Sequence, residues 1–202
     1  MTKVEEIVAQ EWVMFDQVHN IGGRASCQDD QTTFAVMRSS QLLAWSEEML
    51  DSYAGDLRDA KLAGRNLLAE KYGYMMERTS PLEFECIREA LPPIPAEKRT
   101  LIDRISAAQM AWWRELNEAY PALTGRGRSG NREDDGVAGT SFETYLRGEL
   151  ATYSRQTLER YWAHVQQLRQ EGKSLNRLIL ENTVHRYGWN DLEEAERKLS
   201  GI

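Results

Sequence analysis

The sequence predicts an all-α fold, one domain spanning residues 1–202 and built as a bundle of about six to eight helices with one long surface loop. Two observations carry this. Apolar residues recur at three- and four-residue spacing, and the sustained alternation that marks strands is absent. Capping residues, glycines and prolines then divide the chain into segments of helical length.

The first helix is expected from about Val4 to His19, with Val4, Ile7, Val8, Trp12, Phe15 and Val18 on its apolar side, and "NIGG" ending it. A polar connection, residues 20–30, follows. A long helical stretch is predicted over about 31–62, bending near Gly55, and another helix over about 64–78. Ser80, Pro81 and Glu83 have the spacing of a capping box with proline in the first turn. That short helix ends before "LPPIP", since proline cannot continue it. Leu101, Ile102, Ile105, Met110, Trp113 and Leu116 mark a helix over about 96–119, closed by Pro121. Residues 121–139, "PALTGRGRSGNREDDGVAG", are rich in glycine and charge and read as a mobile surface loop of the length used for lids and binding loops. Thr140 and Glu143 form a second capping box, opening helical character that persists to about Gln170. Helices over about 174–186 and 190–199 complete the chain, and no internal repeat is visible.

The composition excludes several classes. A formal charge of -7 and a pI near 5.2 oppose a nucleic-acid partner, because a polyanion would be repelled. No run approaches the roughly 20 apolar residues of a membrane span. The opening "MTKVEEIVAQ" places acids where a secretory signal has its apolar core, so a cytoplasmic location is expected. Cys27 and Cys86 form no CxxC, and His19, His164 and His185 lack metal-ligand spacing, so neither a metal nor another cofactor is expected.

The informative residues are charged ones inside apolar stripes. Glu11 falls near the centre of the face carrying Val4, Ile7, Val8, Phe15 and Val18. Phe34, Arg38, Gln41 and Trp45 share an arc of about 60° on the second helix. Lys71 sits between Leu67, Tyr74 and Met75, although a lysine can bury its stem and return its ammonium to water. Two accounts fit. One is a structural ion pair such as Glu11 with Arg38; the other is convergence on a water-filled interhelical pocket.

The loop "NIGGRASCQDD" lies between the helices of Glu11 and Arg38, so Arg24, Cys27, Gln28 and Asp29 could form one end of that pocket. The plainer reading makes Asp29 or Asp30 a helix cap and Cys27 a small buried residue. In "TYLRGELATYS", Tyr145, Glu149 and Thr152 share a face while Arg147 points elsewhere, with Tyr153 following. Gly148 in a helix interior implies close approach of another backbone or a ligand. Arg126, Arg128 and Arg132 read as solvated loop, or as an anion clamp if the loop folds over the pocket; "GRGRSG" is not a phosphate-loop motif, because it lacks the glycine spacing and terminal lysine–hydroxyl pair.

The blocks "EWVMFDQVHNIGGRASCQDDQTTFAVMRSSQ", "GRNLLAEKYGYMMERTSP" and "SFETYLRGELATYS" together resemble a bacterial domain-of-unknown-function family, the one numbered forty-one twenty-five in that series, over most of the chain. The resemblance implies a full-length, single-domain, cytoplasmic member of a family sometimes fused to a nucleotidyltransferase-like domain. It is densest at Glu11, Gly23, Arg24, Cys27, Gln28, Asp29, Arg38, Gln41, Asn66, Lys71, Tyr145, Arg147, Glu149 and Tyr153.

Two functions are expected from these residues. The first is a small-molecule enzyme carrying out proton-transfer chemistry such as elimination, isomerisation or hydrolysis on an anionic metabolite, an amino acid or carboxylate. Glu11, Cys27, Asp29, Tyr145 and Tyr153 would form its catalytic set, and Arg24, Gln28, Arg38, Gln41, Asn66, Lys71, Arg147 and Glu149 its substrate-binding set. The second is a noncatalytic ligand-sensing or interaction module, a homodimer or the partner of another enzyme, with one of the adjacent Trp112 and Trp113 facing outward as an anchor.

Overall fold

The structure is a computed structural model that describes residues 1–19, 23–136 and 139–201. Regular structure among these residues is entirely helical. The helices are α1 (Lys3–Asp16), α2 (Gln31–Leu42), α3 (Glu47–Leu62), α4 (Leu67–Thr79), α5 (Pro81–Ile87), α6 (Ala96–Ala119), α7 (Pro121–Thr124), α8 (Phe142–Thr152), α9 (Arg155–Gln170), α10 (Leu175–Arg186) and α11 (Leu192–Ser200). Short 3-10 turns occupy Ser26–Asp29, Arg88–Ala90 and Arg132–Asp134.

The helix count exceeds the expected six to eight because serine caps divide two stretches that periodicity alone joins and because α7 forms within the expected loop. The stretch over 31–62 breaks before Ser46, whose hydroxyl accepts the Met49 amide at 3.3 Å and starts α3; Gly55 lies inside that helix. The stretch over 140–170 breaks at Ser154, which caps α9 by accepting the Thr157 amide at 3.1 Å. Ser141, not Thr140, caps α8, accepting the Thr144 amide at 3.2 Å. Pro81 takes the first helical position expected of it, but the Ser80 side chain makes no cap bond, so the box with Glu83 does not form. The first helix ends at Asp16, short of His19, and the "NIGG" turn falls largely on residues 20–22, outside the described residues.

The expected structureless loop over 121–139 is partly helical and stitched to α8. It contains α7 and the turn Arg132–Asp134. The Phe142 amide donates to the Ser129 carbonyl at 2.7 Å, and the Glu143 amide to the Gly130 carbonyl at 3.2 Å. Asp135 accepts from the Ser141 amide at 2.7 Å and the Thr144 hydroxyl at 2.6 Å. Gly130 is required here, because a Cβ would stand 2.3 Å from Trp113 Cζ3. Residues 137 and 138 lie outside the described set.

One large core joins α1, α2, α3, α4, α6, α8, α9 and the start of α10, with Leu42, Met49, Leu57, Ile105, Leu150, Leu158, Val165 and Leu175 fully buried. A smaller cluster of Leu116, Tyr120, Leu123, Val184, Leu192 and Ala195 seats α11 against α7. There the Glu196 carboxylate accepts the amides of Ala122 and Leu123 at 2.9 and 2.8 Å, supplying acceptors to the free N–H groups of α7.

Helices α4 and α8 pack tightly against each other, and Gly148 explains it. A Cβ on Gly148 would stand 2.5 Å from Met75 Cγ and 2.9 Å from the Lys71 carbonyl oxygen. The main chain of α4 cannot yield as a side-chain tip can, so Gly148→Ala is expected to destabilise the fold by about 1–3 kcal/mol in urea denaturation. Gly55→Ala in α3, whose new Cβ would meet only an arginine tip at 3.7 Å, is expected to stabilise by about 0.5–1 kcal/mol.

Candidate functional site

Four helices deliver charge to one buried layer. Glu11 comes from α1, Arg38 and Gln41 from α2, Lys71 from α4, and Glu149 from α8. Glu11 is 0% exposed, Lys71 2%, Glu149 5% and Arg38 6%. Two carboxylates thus face two cations, which is the condition for burying any of them.

The contacts form a continuous network. Arg38 grips Glu11 through two parallel bonds, Nε to Oε2 at 2.8 Å and Nη2 to Oε1 at 2.5 Å. Its Nη1 donates to Gln41 Oε1 at 2.7 Å and to Glu149 Oε1 at 3.0 Å. Gln41 Nε2 donates to the same Glu149 oxygen at 2.8 Å, as does the Tyr153 hydroxyl at 2.6 Å. Lys71 Nζ takes the other oxygen, Glu149 Oε2, at 2.6 Å. The Tyr53 hydroxyl from α3 donates to Glu11 Oε1 at 2.7 Å. The structural ion pair between Glu11 and Arg38 is therefore present, and it extends to Glu149.

These partners set the protonation states. Burial opposes ionisation of Glu149, but Arg38 and Lys71 outweigh it and hold the carboxyl well below the usual range. Burial opposes the charge on Arg38 too, and Glu11 and Glu149 hold it firmly protonated. Burial and the neighbouring carboxylates push the hydroxyls of Tyr53 and Tyr153 well above the usual tyrosine value, Glu11 acting on the first and Glu149 on the second. All four groups are locked in one state near neutral pH.

At one edge the layer changes character. Lys71, whose ammonium does not return to water, lies over the Tyr145 ring at 3.5 Å from its centroid, and Arg128 lies over the same ring at 4.3 Å. The Tyr72 hydroxyl is pushed up by burial first and then by the charges of Tyr145 and Cys27. Cys27 is exposed rather than a small core residue. The hydroxyls of Tyr72 and Tyr145 form no hydrogen bond to the described residues.

The other expected site residues divide differently. Asp30 caps α2 by accepting the Thr33 amide at 2.9 Å, whereas Asp29 pairs with Arg24 at 2.7 Å. Arg24 also holds Asp16 at 2.6 Å, so this set fastens the connection to the end of α1 at the surface. Buried Gln28 donates to the carbonyls of Phe15 and Val18, both at 2.9 Å, and accepts the Ala25 amide at 2.9 Å. Asn66 caps α4 and donates to the Met14 carbonyl at 2.7 Å. Arg147 faces away from the layer, bound to Asp103 and Glu143 at 2.7 and 2.9 Å. Tyr53 and Tyr72 were not anticipated, because a tyrosine on an apolar stripe reads as core and its hydroxyl leaves no periodic signal.

Two surface hollows lie elsewhere. One, of about 190 Å³, includes Trp12 and Phe34 between α1 and α2. The other, of about 440 Å³, lies between α6 and α9 and includes Trp112, Trp162, Arg104 and Arg169. Arg38, Glu11 and Glu149 line neither. Trp113 covers Gly130, and Trp112 is 8% exposed, so neither of the adjacent tryptophans stands out as an anchor. Among the described residues no group of three His, Cys, Asp or Glu is placed to hold a metal ion, and no helix is long and apolar enough to cross a membrane.

Residues 1–197 match the model of a family described as a protein of unknown function, DUF4125. The chain belongs to this family. The match covers the charged layer, its tyrosine edge and all but the end of α11. No curated protein and no solved structure matches the chain.

The depressed Glu149 value fixes a pH dependence. A carboxyl whose folded value lies below its unfolded value, about 4.3, contributes its full stabilisation above that pH and loses it as pH falls toward the folded value. Unfolding free energy is expected to fall as pH is lowered from about 5 to 2, less steeply in Glu149→Gln, as read by urea titrations across that range. Arg38→Met is expected to cost about 3–5 kcal/mol by leaving Glu11 buried without its cation, and Glu11→Gln in the same chain to recover part of that.

Proposed function

We propose that the protein binds a small anionic metabolite at the Tyr145 edge of the charged layer and carries out proton-transfer chemistry there. The observation that supports this is the meeting of two cations, two hydroxyls and an exposed thiol at that edge. Lys71 and Arg128 share the Tyr145 ring, the Tyr72 and Tyr145 hydroxyls have no acceptor among the described residues, and the Cys27 thiol is exposed.

In this reading the buried network is a scaffold. Arg38, Gln41, Glu11, Glu149 and Tyr153 hold one another and keep Lys71 and Tyr145 in place, while the ligand meets Arg128, Lys71, Tyr145, Tyr72 and Cys27. Arginine and lysine attract an anion, and a phenol beside a cation is a competent proton donor. Cys27 and, on the same turn, Asp29 are the groups that would serve as base. Amino acids and carboxylates are the simplest ligands of this kind.

A noncatalytic role is the second reading. It is favoured by the locked protonation states of Glu149, Arg38, Tyr53 and Tyr153, which leave the layer without a group that exchanges a proton near neutral pH.

A thermal-shift screen of the wild-type protein against amino acids, carboxylates and other anions tests the first reading. A ligand at 100 times its dissociation constant is expected to stabilise the fold by about 2.7 kcal/mol. That shift should vanish in Arg128→Ala and Tyr145→Phe while the melting temperature without ligand stays nearly unchanged. No shift with any anion would overturn the reading. Binding without turnover of any bound ligand would leave the sensor and remove the enzyme.

A further inference from the structure

The segment over residues 126–132 carries more positive charge than a single carboxylate ligand requires. Arg126, Arg128 and Arg132 lie on it, and two further guanidiniums reach it from different helices. Arg78 of α4 donates to the Arg132 carbonyl at 3.2 Å, and Arg114 of α6 donates to Asn131 Oδ1 at 3.4 Å. Arg128 Nη1 is held by the Thr140 carbonyl at 3.0 Å, which leaves its remaining N–H groups at the Tyr145 edge.

None of Arg114, Arg126, Arg128 or Arg132 has a carboxylate partner among the described residues, and Arg78 stands 3.7 Å from Asp135. Asp135, whose oxygens also accept the Ser141 amide and the Thr144 hydroxyl, offsets one of these five charges. Glu133 and Asp134 follow on the chain, exposed and without an ion pair among the described residues. The local excess remains positive in a chain whose formal charge is -7.

A second observation points the same way. Ser129 Oγ and Arg132 Nε, three residues apart on this segment, are buried atoms with no hydrogen-bond partner. A buried donor without an acceptor costs about 1–3 kcal/mol, so natural proteins rarely keep two in one short segment for no purpose.

We propose that the arginine segment recognises a phosphate group, and that the anionic metabolite of the Tyr145 edge is a phosphate monoester. This rests on the function proposed above and names the class of its ligand. A phosphate dianion offers three acceptor oxygens in an arrangement that guanidinium forks match with paired donors, whereas one carboxylate offers two and half the charge. The segment is not a nucleotide phosphate loop, so the recognition rests on its arginine side chains.

The test uses isothermal titration of the full chain at constant ionic strength with inorganic phosphate, a hexose phosphate, a nucleoside monophosphate, acetate and aspartate. At least one phosphate compound should bind at least tenfold more tightly than either carboxylate. Arg128→Ala and Arg132→Ala should each weaken that binding by tenfold or more, with Arg186→Ala on α10 as a charge-matched control that leaves it unchanged. Carboxylate binding without phosphate preference overturns this inference and spares the function proposed above; no binding by either class overturns both. Phosphate binding that survives both loop substitutions, or weakens equally in the control, also overturns it, since the anion would then be held by general charge.

Discussion

The Glu149 carboxylate is the constraint on which the rest of the structure depends. It lies on α8 yet is completed from α2 by Arg38 and Gln41, from α4 by Lys71, and from its own helix end by Tyr153. A carboxylate buried this deeply costs several kcal/mol unless those donors arrive together, so the helices cannot slide independently. The dense packing of α4 on α8 is one consequence. Lys71 must reach Glu149 from a neighbouring main chain, and the residue beside Glu149 is the glycine that lets that main chain approach. Charge and packing therefore specify the same register.

This constraint also separates structure from chemistry. Glu11 meets Arg38 and Tyr53, and Tyr153 meets Glu149, with bond lengths typical of charge-assisted pairs. Groups held so tightly are poor proton carriers, because changing the charge of one leaves another buried without its partner. The polar groups without such partners lie instead at Tyr145, Tyr72 and Cys27, where the proposed function places its chemistry. The polar connection that begins at Arg24 serves both parts: Gln28 anchors it to the carbonyls ending α1, and Cys27, one residue earlier, remains accessible.

Much of the layer was legible in the sequence, for a physical reason. Helical phase alone places Glu11 among valines and isoleucine, and Arg38 and Gln41 between Phe34 and Trp45. Each is an unstable placement unless partners exist, so the presence of partners followed from their number. Lys71 was harder to place, because a long aliphatic stem is compatible with either burial or a return to water. Tyr53 and Tyr72 were invisible, since the apolar ring accounts for their position and the hydroxyl adds no pattern. Helix boundaries at Ser46 and Ser154 failed for the opposite reason. The apolar period continues across both breaks, and a single serine hydroxyl decides where the new helix starts. The segment over 121–139 misled by composition: glycine and charge suggest a free loop, but Trp113, Asp135 and the amides of Phe142 and Glu143 tie it down through contacts no local pattern encodes.

The Tyr145 ring shows how the neutral interior gives way to a charged surface. Two cations lie over it, and in isolation their mutual repulsion would oppose that arrangement. Lys71 is compensated by Glu149, so its charge is largely cancelled within the layer. Arg128 has a carbonyl and the ring but no carboxylate among the described residues. The ring therefore stands between a compensated cation and an uncompensated one. A field of this kind points outward, toward the face where an anion would lower the energy of Arg128 without disturbing Lys71. The charged layer thus fixes the position of the edge, and the missing carboxylate at Arg128 gives that edge its sign.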